Sequence, residues 1–96
     1  MAEHVHERIL RGIPLWLLRD YLEELGGTES EILDGPPDVE EALVAGDGWQ
    51  ARLTQLEDYK IGFLSSGQVK LVVTGDADEV RGMLSRLAPR LSRGAG

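Results

Sequence analysis

From Trp49 to Thr74 the chain holds three runs, WQARLTQL, YKIGFL and QVKLVVT, in which apolar residues recur at every second position. Side chains of a strand alternate between its two faces, so each run presents one apolar face. Trp49, Ala51 and Leu53 share it in the first run, Tyr59, Ile61 and Phe63 in the second, and Val69, Leu71 and Val73 in the third. Glu57-Asp58 and Ser65-Ser66-Gly67 separate the runs and are short enough for hairpins. The pattern predicts a three-stranded antiparallel meander. Its second face carries Gln50, Arg52, Thr54, Lys60, Lys70 and Thr74, with Leu64 and Val72 as apolar exceptions.

A sheet with one oily face needs a cover, and two amphipathic segments supply it. Leu15, Leu18, Leu22 and Leu25 recur at spacings of three and four, which predicts a helix from Pro14 to Leu25. Proline suits its first turn, and Gly26-Gly27 suits its end. Ala77, Val80, Met83, Leu84, Leu87 and Leu91 form a second stripe. Asp76 is the expected N-cap there, with Glu79 completing a capping box, and Pro89 is expected to end or bend this helix near Ala88. Residues 3–11 alternate well enough for a strand. The expected fold is a two-layer α+β sandwich in the order β-α-β-β-β-α. Its sheet has about four mostly antiparallel strands, with both helices on one face. If the first strand joins at an edge through the helix crossover, it runs parallel to its neighbour. Residues 28–48 read either as an acidic loop or as a short helix near 38–45 capped by Asp38 and Glu41. The whole reads as one domain over 1–96 with a flexible tail at 92–96.

Composition narrows the functions. The chain has no cysteine, which removes disulfides, thiolate metal sites and cysteine nucleophiles. Arginine outnumbers lysine eight to two and asparagine is absent, a pattern that fits a heat-adapted (thermophile) or GC-rich source. The protein is acidic, with a net charge of −7, which argues against sequence-independent nucleic-acid binding. No apolar run approaches the ~20 residues of a membrane helix, and the N-terminus lacks a signal-peptide pattern, so a cytoplasmic protein is expected. Charge is also uneven. Residues 20–47 hold ten acids and no base, whereas residues 80–96 hold four arginines and no acid. Such a split can steer a partner or a second copy, and it is equally what two solvated faces carry.

Few residues stand out for chemistry. His4 and His6 point the same way on a strand and are weak candidates for a metal, but no third histidine is present. The turn Arg11-Gly12-Ile13-Pro14 leads into a helix N-terminus, where free N–H groups attract anions. Arg8, Arg11 and Gly12, with Trp16 as a stacking wall, are therefore candidate anion- or ligand-binding residues. Pro14 removes one donor, and a tight turn with surface arginines explains the same residues. Trp16 falls off the apolar stripe with Leu17 beside it. These two, with Leu64 and Val72 on the second sheet face, are candidate interface residues. Trp49 is in phase with the core. No serine sits in a nucleophile pattern, and neither a P-loop nor a dinucleotide fingerprint is present. No catalytic residue and no cofactor is expected.

The segments RGIPLWLLRDYLEELGG, GDGWQARL and YKIGFLSSGQVKLVVTGD together resemble a family of short cytosolic bacterial proteins of the Thermus and Deinococcus kind, whose function is unknown. The likeness covers about residues 8–94 and rests on the R-G-I-P, G-D-G-W and I-G-x-L motifs, which serve turns and packing. It implies an α+β fold and no function, and, because the 28–47 segment is longer here than in the family pattern, it implies that the short acidic helix is an insertion. The chain therefore reads first as a non-enzymatic interaction module, a homodimer or the companion of another protein. The alternative is a small-molecule or anion-binding domain built on Arg11–Pro14.

Overall fold

The structure, a computed structural model, describes residues 3–32, 35 and 37–94. Strand β1 (Glu3–Arg11) leads into helix α1 (Leu15–Glu24), followed by strands β2 (Thr28–Ser30), β3 (Glu41–Ala45), β4 (Trp49–Ile61) and β5 (Leu64–Asp76), and then helix α2 (Ala77–Gly94). The strands form one sheet in the order β1-β5-β4-β3-β2, and every described pairing is antiparallel. Both helices pack on one face of it. Leu18 and Leu22 of α1 and Val80, Met83 and Leu87 of α2 meet Val44, Ala51, Leu53, Val69, Leu71 and Val73 in one core. The expected α+β sandwich with its helices on one face is the observed fold.

Local chemistry sets the helix limits. Leu25 closes α1 in a Schellman motif: the Gly27 N–H donates to the Leu22 carbonyl at 3.1 Å and the Gly26 N–H to the Glu23 carbonyl at 3.0 Å. Gly26 takes a φ of 98°, a left-handed conformation that only glycine adopts cheaply. At the start of α2 the Asp76 carboxylate accepts from the N–H groups of Asp78 (3.2 Å) and Glu79 (3.4 Å), as an N-cap should.

Five details of the sequence reading change. First, β1 runs antiparallel to β5, because α1 returns the chain to β2 at the opposite edge of the sheet rather than to β1's neighbour. Second, residues 41–45 form a strand, not a short helix. Ala42 and Val44 alternate inward, and pairing with β4 satisfies their backbone. β3 and β2 add two strands to the expected four, and the fusion of the first two expected meander strands into β4 removes one, which leaves five. Third, Glu57-Asp58 is no hairpin. The β4–β5 register shifts by one residue between Leu56 and Tyr59, and β4 continues to Ile61. Fourth, that extra residue reverses the alternation, so Tyr59 and Ile61 face away from the core, and Phe63 stands fully exposed at the hairpin tip. Fifth, Pro89 lies inside α2, which continues through residues 92–94 of the expected flexible tail. Leu87 and Leu91 anchor the helix on both sides of the proline, and the Arg90 guanidinium donates to the Arg86 carbonyl at 2.9 Å. Asp34 of the acidic run and tail residues 95–96 lie outside the described residues.

Candidate functional site

The face of the sheet opposite the helices carries the candidate site. On β5 it presents Leu64, Ser66, Gln68, Lys70, Val72 and Thr74, and on β1 the odd-numbered residues from Glu3 to Arg11. After the bulge, Tyr59 and Ile61 of β4 pair with Ser66 and Leu64 and join it. Val5, Ile9, Tyr59, Ile61 and Leu64 are large exposed apolar side chains, and all five fall on this face. Val72 is half-buried among them. Beside them, Tyr59, Ile61, Leu64, Ser65 and Ser66 line a shallow concavity of about 380 Å³ near the hairpin tip.

Several polar groups on the same face pair with one another. The Arg52 guanidinium donates two hydrogen bonds to the Glu41 carboxylate, at 3.0 and 3.1 Å, and the Thr54 hydroxyl donates a third at 2.8 Å. The bonds from Arg52 and then from Thr54 hold the Glu41 carboxyl below its ordinary pKa range, outweighing the partial burial that opposes them. Glu41 is thus a strand residue on a charged cluster rather than a capping-box partner. Lys70 pairs with Glu7 at 3.1 Å. Arg11 lies 3.8 Å above the Tyr59 ring and donates to the Gln68 side chain at 3.0 Å.

The sequence candidates are dispersed. Arg8 and Arg11 are three apart on a strand and so leave from opposite faces. The Gly12 N–H donates to the Gly67 carbonyl at 3.0 Å. Arg8 and Arg11 do both border an open cleft of about 440 Å³ against Ala88, Leu91 and Ser92 of α2, whereas Trp16 does not line it. Trp16 is 55% exposed on α1, and Leu17 packs against the core. Of the four candidate interface residues, Leu64 and Val72 share the open face, and Trp16 and Leu17 lie in the helical layer. His4 and His6 sit on the helix side of β1. Among the described residues no three His, Cys, Asp or Glu side chains come together as a metal site.

The charge split closes partly within the chain. Arg90 of the basic segment reaches Glu24 of the acidic one at 3.5 Å, and Arg19 lies 3.8 Å from both Glu23 and Glu29. Val5, Ile9, Tyr59 and Ile61 are surface residues that alternation alone does not single out, and it places Tyr59 and Ile61 on the core face. An acidic pair interrupting one continuous strand pattern is the signal that could have marked the bulge.

Fold and site together define a small α+β protein with a helix-covered sheet face and an open, partly apolar one. No described helix is long and apolar enough to cross a membrane. The chain belongs to the archaeal MoaD-like protein family, whose model matches residues 6–96. The match places it among small-domain proteins and gives no support to the narrower Thermus- and Deinococcus-type likeness or its motifs. No curated protein matches it.

Proposed function

We propose that this is a non-enzymatic protein that works by docking on protein surfaces through the open face of its sheet. The observation that carries the reading is the gathering of Val5, Ile9, Tyr59, Ile61 and Leu64 on one face. Scattered exposed apolar residues are ordinary. Here Val5 and Ile9 on β1 and Tyr59, Ile61 and Leu64 near the hairpin tip form two apolar groups on one face, with the Glu7–Lys70 and Arg11–Gln68 pairs set among them. Such a mixture of apolar and paired polar groups is the usual makeup of an interaction surface. Family membership supports the same reading. MoaD-like proteins are small sulfur-carrier-type domains that are not themselves catalytic and act with partner proteins. The test compares proteins captured from cell extract by the native chain and by Ile61→Lys/Leu64→Lys. A partner retained by the first and lost by the second, at equal melting temperature, supports docking. Equal capture by both refutes it.

The cleft bordered by Arg8 and Arg11 favours a second reading, a small anion site. A ligand that binds only the folded chain raises its melting temperature. Phosphate should then stabilise the native protein and lose its effect in Arg8→Ala. No stabilisation of the native protein removes this reading.

A further inference from the structure

The sheet's two edges differ. At one end lies β2, with only three residues. At the other lies β1, with nine residues paired to β5 in unbroken register and an outer edge that, among the described residues, no strand covers. Edges that must stay unpaired are usually shortened, bulged, covered, or interrupted by proline or charged side chains, lysine above all. β1, EHVHERILR, is long, unbulged and free of proline and lysine, and its charged residues, Glu3, Glu7, Arg8 and Arg11, are of both signs, so a second copy can pair them.

The direction of its hydrogen bonds follows from the register. Gly12 donates to Gly67 one step beyond the Arg11–Gln68 pair, which makes Gly12–Gly67 a hydrogen-bonded pair. Such pairs alternate along an antiparallel ladder. Leu10, Arg8, His6 and His4 therefore bond to β5, while Arg11, Ile9, Glu7, Val5 and Glu3 turn their N–H and C=O groups outward. The same five residues direct their side chains to the open face.

We infer that β1 pairs antiparallel with β1 of a second copy, about a two-fold axis at Glu7, to join two sheets into one. The inference rests on the docking reading and names a partner for it. This register uses all five outward residues and forms about ten backbone hydrogen bonds. Each Val5 then lies opposite Ile9 of the second copy, and each Glu3 opposite Arg11. Both are favourable cross-strand pairs. Arg11 is already held on this face by Gln68 and Tyr59. The two Glu7 carboxylates meet at the axis, each beside its own Lys70 at 3.1 Å. On the helix side His6 lies opposite Arg8, and His4 opposite Leu10. Sliding the register by two residues loses a hydrogen-bonded pair and sets Glu3 against Ile9 or Val5 against Arg11.

The test uses the absence of native cysteine. In sedimentation from low to high micromolar, the native chain should move from its 10.5 kDa monomer mass to double that value. Under mild oxidation Glu7→Cys should cross-link to itself. Val5→Cys should not, but should cross-link when mixed with Ile9→Cys. Val5→Pro removes an outward donor and no bond to β5, so it should weaken dimerisation about tenfold or more with its circular dichroism unchanged. A native chain that stays monomeric throughout overturns the inference, as does a dimer in which Glu7→Cys fails to cross-link and Ile61→Cys succeeds. Neither result touches capture of a different protein through Ile61 and Leu64, so the docking reading fails only on its own test.

Discussion

Gly46→Ala adds one methyl group, yet it should destabilise the protein by about 1–3 kcal/mol, the usual cost of overpacking. Gly46 has no left-handed backbone, so alanine meets no conformational strain there. The penalty comes from the buried Trp49 ring. A Cβ at Gly46 would fall against Cε2, Cζ2 and Nε1 of the indole, and Cη2 of the same ring lies too close to Gly27 to give way in that direction. Without the ring, Gly→Ala should be neutral or stabilising by about 0.4–1 kcal/mol through the unfolded chain's lost entropy. Trp49→Ala alone should cost about 3–5 kcal/mol, a value measurable against the roughly 5–14 kcal/mol expected of a chain this size. In the Trp49→Ala background the Gly46→Ala penalty should vanish or change sign, a coupling of about 1 kcal/mol or more. Urea denaturation of the four proteins, followed by far-UV circular dichroism, measures it. Trp16→Ala, at an exposed position, should stay within about 0.5 kcal/mol of the native protein and serves as the control. Additive effects of Gly46→Ala and Trp49→Ala would refute the steric reasoning.

Two further outcomes are expected. Hydrogen bonds lower the folded-state pKa of Glu41 below its ordinary 4.5, so its ionised form contributes stability above that pH, and the contribution is lost as pH falls through the lowered folded value. Glu41→Gln should therefore be destabilised at neutral pH and lose less stability than the native protein on acidification below 4.5, as read by melting temperature against pH. Asp76→Ala removes the α2 N-cap and should cost about 0.5–2 kcal/mol in urea denaturation, whereas Asp76→Asn should cost little.

Both long helices were legible in the sequence because their cause is local. Leucine spacing, the Gly26-Gly27 stop and the Asp76 cap act within a few residues of one another. The inward alternation of Trp49, Ala51 and Leu53 and of Val69, Leu71 and Val73 was legible for the same reason, and it implied a two-layer fold. Pairing was not legible in this way. Whether β1 lies parallel or antiparallel to β5, and whether residues 41–45 form a helix or a strand, depends on partners far along the chain, which supply the missing backbone hydrogen bonds. The candidate site turns on one such event. A single extra residue between Leu56 and Tyr59 reverses which face every later β4 side chain takes, and so moves Tyr59 and Ile61 from the expected core to the open face. Leucine spacing and strand alternation were enough to require two helices over one apolar sheet face. What the other face displays follows from pairing, because strand register is set by the neighbouring strand and not by the strand itself.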